Sequence, residues 1–313
     1  MYRPNRILRG ALALTLILGC VSLATAEPIH PAGDDFQFIA RYVDVDDVVF
    51  SKPDVAAGPW NDLIPKQVSL LPQNVTTPSK FQTSVESIDV RVVHNGSWIG
   101  VAVSWLDDAP DHMTATGVFS DAVAVGFPQG DPFSTSPLMG HPGIVEINYW
   151  KALWQHDIDH GYQEVTDLYP YTVADEYVGY RSEHLPDSNP ASSAPIAEVM
   201  STPEGLQGLP AIAIGNPVSQ LHRQTPVEQL VAEGFGTLST QKQQDARADA
   251  AFDDGRWTVV ITRPLNTGDS ADSPLAVDSL TTINFAVWQG GEGDVSGRKN
   301  YATFTPLLIA AQE

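Results

Sequence analysis

Alternation of apolar and polar side chains dominates this chain. Residues 85–93, VESIDVRVV, put Ile88, Val90 and Val92 on one side of an extended segment, and residues 98–105, WIGVAVSW, do the same with Ile99, Val101, Val103 and Trp105. A period of two is the signature of a half-buried strand. Between the two runs lies His94-Asn95-Gly96-Ser97. Asn-Gly tolerates the positive φ angles a tight hairpin needs. Asp254-Gly255 joins a second pair of runs, 246–252 and 256–263, in the same way. Further strands are predicted at 36–43, 121–127, 144–150 and 281–288, while 226–233 (PVEQLVAE) could form a short helix. Many short strands punctuated by Gly, Pro, Asn and Asp predict an all-β fold, a two-sheet antiparallel β-sandwich with little helix. The stretch 155–217 departs from this pattern. It carries seven prolines from Pro170 to Pro217 and little periodicity, and reads as a Pro-rich loop insertion. Tyr162, Tyr169, Tyr171, Tyr177 and Tyr180 give its first half anchoring aromatics.

The N-terminus follows a different logic. Arg3, Arg6 and Arg9 precede an apolar run, Ala11 to Gly19, that ends near Ala24-Thr25-Ala26. This is the layout of a secretory signal peptide over residues 1–26, cleaved after Ala26, and implies a periplasmic protein. Lipid attachment at Cys20 is the alternative reading. Cys20 is the only cysteine, so the exported form, residues 27–313, would contain no disulfide, no thiolate metal site and no Cys-x-x-Cys-His motif. Removing the three arginines leaves 14 basic residues against 38 acidic ones, a net charge of −24. Nucleic acid and anionic membranes are poor partners for such a chain, and a basic protein is a good one. No apolar run after residue 26 is long enough for a membrane span.

Several chemistries are excluded by their missing motifs. There is no Gly-x-x-x-x-Gly-Lys-Ser/Thr loop, no Gly-x-Ser-x-Gly elbow and no His-Glu-x-x-His. His156 and His160 have helical metal spacing but no evident third ligand, and WQHDIDHGY reads as a solvated loop. Asp44, Asp46 and Asp47 lack the glycine and distal glutamate of a calcium loop and fit the outward face of an edge strand. Met139 is more unusual. It sits between Pro137 and Gly140, just ahead of a predicted strand, in SPLMGHPGIVEINYWKA (136–152). A thioether held in a rigid turn can be packing, or a soft ligand for copper or haem iron.

Six segments, in order, resemble one family. They are SIDVRVVHNGSWIGVAVSWLDDAPD (87–111), DAVAVGFP (121–128), LMGHPGIVEINYWKA (138–152), EGFGTLS (233–239), DDGRWTVVITRPL (253–265) and INFAVWQGGEGDVSGRKNYATF (283–304). They are similar to the haem-binding gamma subunit of periplasmic molybdenum enzymes, the group of ethylbenzene dehydrogenase, dimethylsulfide dehydrogenase, chlorate reductase and selenate reductase. The resemblance implies a β-sandwich enclosing one haem b, with no catalysis of its own. It implies electron transfer between an iron–sulfur beta subunit, beside a molybdenum-containing catalytic alpha subunit, and a soluble cytochrome c-like carrier. It also implies two axial ligands to the haem iron, Met139 from the Met-Gly turn and a lysine. Lys242, after Gly-Phe-Gly-Thr-Leu, is the expected lysine, with Lys151 the runner-up and His141 and His222 the fallback donors. The competing function is a carbohydrate-binding β-sandwich module, in which some of the seven tryptophans would stack on sugar; their strand positions favour core packing instead.

Overall fold

Two strand layers face each other across one apolar core. The computed structural model describes residues 38–113, 115–133, 143–163, 165–171, 210–214, 216, 219–220, 223–234 and 236–312. The expected signal peptide with Cys20, most of the 155–217 insertion, and Met139, His141 and His222 lie outside these residues. The first layer runs β10 (Arg247–Asp253), β11 (Arg256–Pro264), β5 (Trp98–Leu106) and β4 (Ser87–His94), with β2 (Lys66–Ser69) also on β4. The second runs β14 (Thr305–Ile309), β12 (Ser279–Trp288), β6 (Ala122–Pro128), β7 (Val145–Lys151), β8 (Val227–Ala232) and β9 (Ser239–Thr240). Strand β13 (Asn300–Tyr301) pairs with β12 and with β3 (Leu71–Pro72). Every pairing named so far is antiparallel, as expected. The exception is β1 (Phe38–Tyr42), which stitches the layers together. Phe38–Ala40 run parallel to β14, and Arg41–Tyr42 run parallel to β4.

The alternation read from the sequence decides what enters the core. Val90, Val101, Val103, Val259 and Ile261 from one layer meet Val123, Val125, Phe127, Phe285 and Val287 from the other. Trp105, Trp150 and Trp257 pack together within it, with ring centroids 5.0 Å apart for Trp150–Trp257 and 6.3 Å for the two pairs that include Trp105. Both hairpins form as predicted. Gly96 adopts φ 93°, and Asp254 and Gly255 adopt φ 47° and 70°, the double positive φ of a type I′ turn.

Three local expectations change. Residues 226–233 form β8, not a helix, because both faces of the strand are covered and its apolar positions lose their alternation. The WQHDIDH stretch is helix α2 (Ala152–His160), not a loop; it buries Ala152, Trp154 and Gln155 and stops at Gly161, φ 97°. Asp46 is not on a strand face. It caps the short helix α1 (Asp47–Ser51), its carboxylate accepting the Val48 N–H at 2.9 Å. Among the described residues no helix is long and apolar enough to cross a membrane.

Candidate functional site

Strand β6 is buried along its whole length, AVAVGFP, on both faces. Val123, Val125 and Phe127 belong to the central core. The alternate residues, Ala122 and Ala124, join a second apolar cluster on the outward face of the same sheet, with Val145, Ile147, Leu230, Ala232, Ala286 and Trp288. An outward sheet face normally meets water and carries polar side chains. This one is apolar and small: Ala122, Ala124 and Gly126 of β6 lie beside Trp288, Ala286 and Asn284 of β12 and beside Lys151, Tyr149 and Ile147 of β7. A Cβ at Gly126 would lie 2.1 Å from Asn284 Oδ1, so any side chain there would have to displace that amide.

Over this floor lies a cavity of about 230 Å³. Val145, Ile147, Leu230 and Leu238 supply apolar walls, and Tyr149, Trp288 and Tyr301 supply aromatic ones. Tyr149 and Trp288 meet edge-on at 5.1 Å. Burial, with Glu228 nearby, raises the Tyr149 pKa, so its hydroxyl stays neutral.

One cation lines the cavity. Lys299 sits just before β13, half-buried, with Nζ 5.0 Å from the Trp288 ring. Desolvation lowers its pKa to about 8, because the apolar surroundings penalise the ammonium. A neutral amine is therefore accessible near physiological pH, which an ordinary lysine does not offer. Lys242 is placed differently. It is exposed, two residues beyond β9, and does not line the cavity. Its neighbour Gln241 is buried, donating to the carbonyls of Leu230 and Ala271. Lys151 lies at the end of the floor, across from Ala122, with Nζ 5.3 Å from the Trp154 ring and 5.8 Å from Tyr149. Burial lowers its pKa, opposed by Glu228. Arg223 stacks on the other partner of this group, its guanidinium carbon 4.4 Å from the Trp154 ring. Met139 belongs to the connection between β6 and β7, the two strands that carry most of the floor.

The sequence pattern does not single out Lys299, which lines the cavity. Strand β13 has only two residues, too short to show a period, and nothing local marks the preceding lysine as buried. The available signal was β6 itself, whose unbroken apolar run calls for cover on both faces.

Residues 57–300 match the family model described as ethylbenzene dehydrogenase. The chain belongs to the ethylbenzene dehydrogenase family. The match spans all six segments on which the resemblance rests except the last four residues of the sixth. A protein of Haloferax mediterranei named as a respiratory nitrate reductase heme subunit, ORF7, is 33% identical over 109 residues, which is 33% of this chain. The alignment spans 40% of that relative's length. Among solved structures, a family 9 carbohydrate binding module from Caldicellulosiruptor kristjanssonii, in complex with glucose, resembles 88% of this chain and 97% of its own at TM-score 0.34 and 8% identity. The same module with cellotriose gives TM-score 0.35 and 6% identity, covering 88% of this chain and 95% of its own. Likenesses this remote carry no argument about ligand.

Proposed function

We propose that this member of the ethylbenzene dehydrogenase family is a non-catalytic electron-transfer subunit carrying one haem b in the cavity over β6, β7, β8 and β12. The observation that carries the reading is an outward sheet face built of Ala and Gly, walled by apolar and aromatic side chains, with one amine pushed toward neutrality at its edge. The small side chains leave room for a flat apolar group, and the walls would exclude water from it. The Haloferax relative, named as a heme subunit of a respiratory nitrate reductase, supports the same cofactor.

Bound there, haem would supply a one-electron Fe(III)/Fe(II) couple. The chain's own residues would set its ligation. An amine can ligate only through a free lone pair, so the half-buried Lys299 at the cavity suits the role better than the exposed Lys242. Met139, flanked in the sequence by Pro137 and Gly140, is the thioether partner, and thioether ligation raises a haem potential. Lys151 and Arg223 are suited to pairing with the propionates. The partners would be a molybdenum-containing alpha subunit, an iron–sulfur beta subunit and a soluble cytochrome c-like carrier, in the periplasm. The competing sugar-binding reading finds no exposed tryptophan to stack on, since six tryptophans are buried and Trp98 is half-buried.

The test is spectroscopic. The purified chain should show a Soret band and release one haem b per chain into acid–acetone. A colourless protein, or pigment that stays covalently attached after extraction, would overturn the proposal.

A further inference from the structure

We propose that Asp107, Asp111 and Asp121 form a calcium-type cation site at the end of the sandwich, where the connection from β5 to β6 meets the loop after β12. One carboxylate oxygen from each residue lies within 4.8 Å of the others. Two of the three are not solvated surface acids: Asp121 is 0% exposed and Asp107 is 5% exposed, while Asp111 is half-buried.

The hydrogen bonds satisfy only part of this cluster. Asp121 is held from three sides: its Oδ2 accepts the Asp111 N–H at 2.7 Å and the Trp257 indole N–H at 2.9 Å, and its Oδ1 accepts the Gly290 N–H at 2.8 Å. Asp107 Oδ1 accepts the Ala109 N–H at 3.3 Å and the Gln289 amide at 3.2 Å. Asp107 Oδ2 and Gln289 Oε1 are both buried without a hydrogen-bond partner. The Trp105 indole N–H bears on the Asp107 carboxylate but forms no hydrogen bond of normal geometry. The charged groups acting on Asp107 and Asp121 are other carboxylates, Asp111 on the first and Asp107 on the second. Buried like charges with unmatched acceptor oxygens are costly unless something positive joins them.

The donor chemistry selects the ion. All the candidate donors are oxygens, three carboxylates and one side-chain amide, which suit a hard divalent cation rather than zinc or copper. A polar cleft of about 750 Å³ reaches Asp107 and Gln289; Asp108 and Glu292 line it together with Lys80 and Arg298. The loop is also shaped around Asp111. A Cβ at Gly291 would come within 2.8 Å of Asp111 Oδ2, and one at Gly290 within 2.1 Å of the Phe119 carbonyl oxygen. A cation here would tie the start of β6 to the end of β12, the two strands that carry Ala122, Ala124, Ala286 and Trp288 of the cavity floor.

The experiment uses the full purified chain, stripped with EDTA and then titrated with calcium chloride. Elemental analysis after gel filtration should find one calcium per chain. At about 100-fold excess over Kd, the melting temperature should rise by on the order of 5 °C. Asp107→Asn should lose both effects while melting no lower than the metal-free wild type, because it removes a buried charge. Asp111→Asn, at a half-buried position, is the second variant and should likewise lose calcium. No bound calcium and no shift in the wild type would overturn the proposal. An equal calcium shift in the wild type and both variants would overturn it too, by moving the binding elsewhere.

Discussion

A single lysine carries the sharpest test. Lys299→Met should abolish amine ligation and change the low-spin haem spectrum, whereas Lys242→Met should leave it intact. The reverse result would return the role to Lys242. Met139→Ala should lower the potential and open one axial position, read by optical spectra and redox titration, while Met113→Ala should not. Lys299 also makes a prediction for the haem-free protein. Its folded pKa, about 8, lies below the unfolded value near 10.4, so the unfolded chain binds the extra proton between these pH values. Stability must then rise with pH across that window, and the cost of the buried ammonium is fully present below about pH 8. Wild type should gain about 2–3 kcal/mol relative to Lys299→Met between pH 7 and 10, measured by urea unfolding. Identical pH profiles for the two proteins would show that Lys299 is solvated in the haem-free state.

At the scale of strands, the sequence was most readable where one face meets the core and the other meets water or a thin cover. Strands β4, β5 and β11 alternate, and their hairpins carry Asn-Gly and Asp-Gly, so position and partner both followed from the pattern. The failures came from covered faces. Strand β8 lost its alternation because Val227, Leu230 and Ala232 are all buried, and helix α2 hid behind the polar His156, Asp157 and Asp159 on its open side. The site was legible in kind but not in detail. Met139 stands out in the sequence through its Pro and Gly frame but lies outside the described residues, whereas the place of Lys299 at the cavity depends on β13 folding back onto β12, a pairing no local signal announces. The cavity floor gives the matching prediction. Ala124→Phe places a large ring where Ala124 now lines the space, on a face that is not the central core. The variant should fold with the wild-type circular dichroism spectrum but bind little haem. A full Soret band in Ala124→Phe would place the cofactor elsewhere. The core itself is less forgiving: Glu146 is fully buried against Arg263 and also accepts the Asn148 amide at 2.9 Å. Glu146→Gln should destabilise by about 3–5 kcal/mol in urea unfolding, because it strands the arginine charge.

At the scale of the whole molecule, charge is the governing quantity. The chain carries 38 acidic residues against 17 basic ones, and the excess grows if the arginine-bearing N-terminus is removed. Several cations are already engaged inside the fold. Lys80 is buried against Asp294 at 2.6 Å, and Arg263 is buried against Glu146. Each pair is neutral, so it leaves the acidic excess felt outside the fold unchanged. A field of this sign would draw in a basic redox partner and orient it before contact, raising the association rate rather than the final affinity. Screening sets the signature. The Debye length falls from about 30 Å at 0.01 M salt to about 10 Å at 0.1 M, so a steered encounter slows across that range. Stopped-flow oxidation of the reduced chain by a basic c-type cytochrome should therefore slow by about tenfold or more between those salt concentrations. An acidic cytochrome of similar potential should show the opposite trend, because salt relieves repulsion. Rates that do not depend on salt with either partner would show that the acidity serves solubility alone.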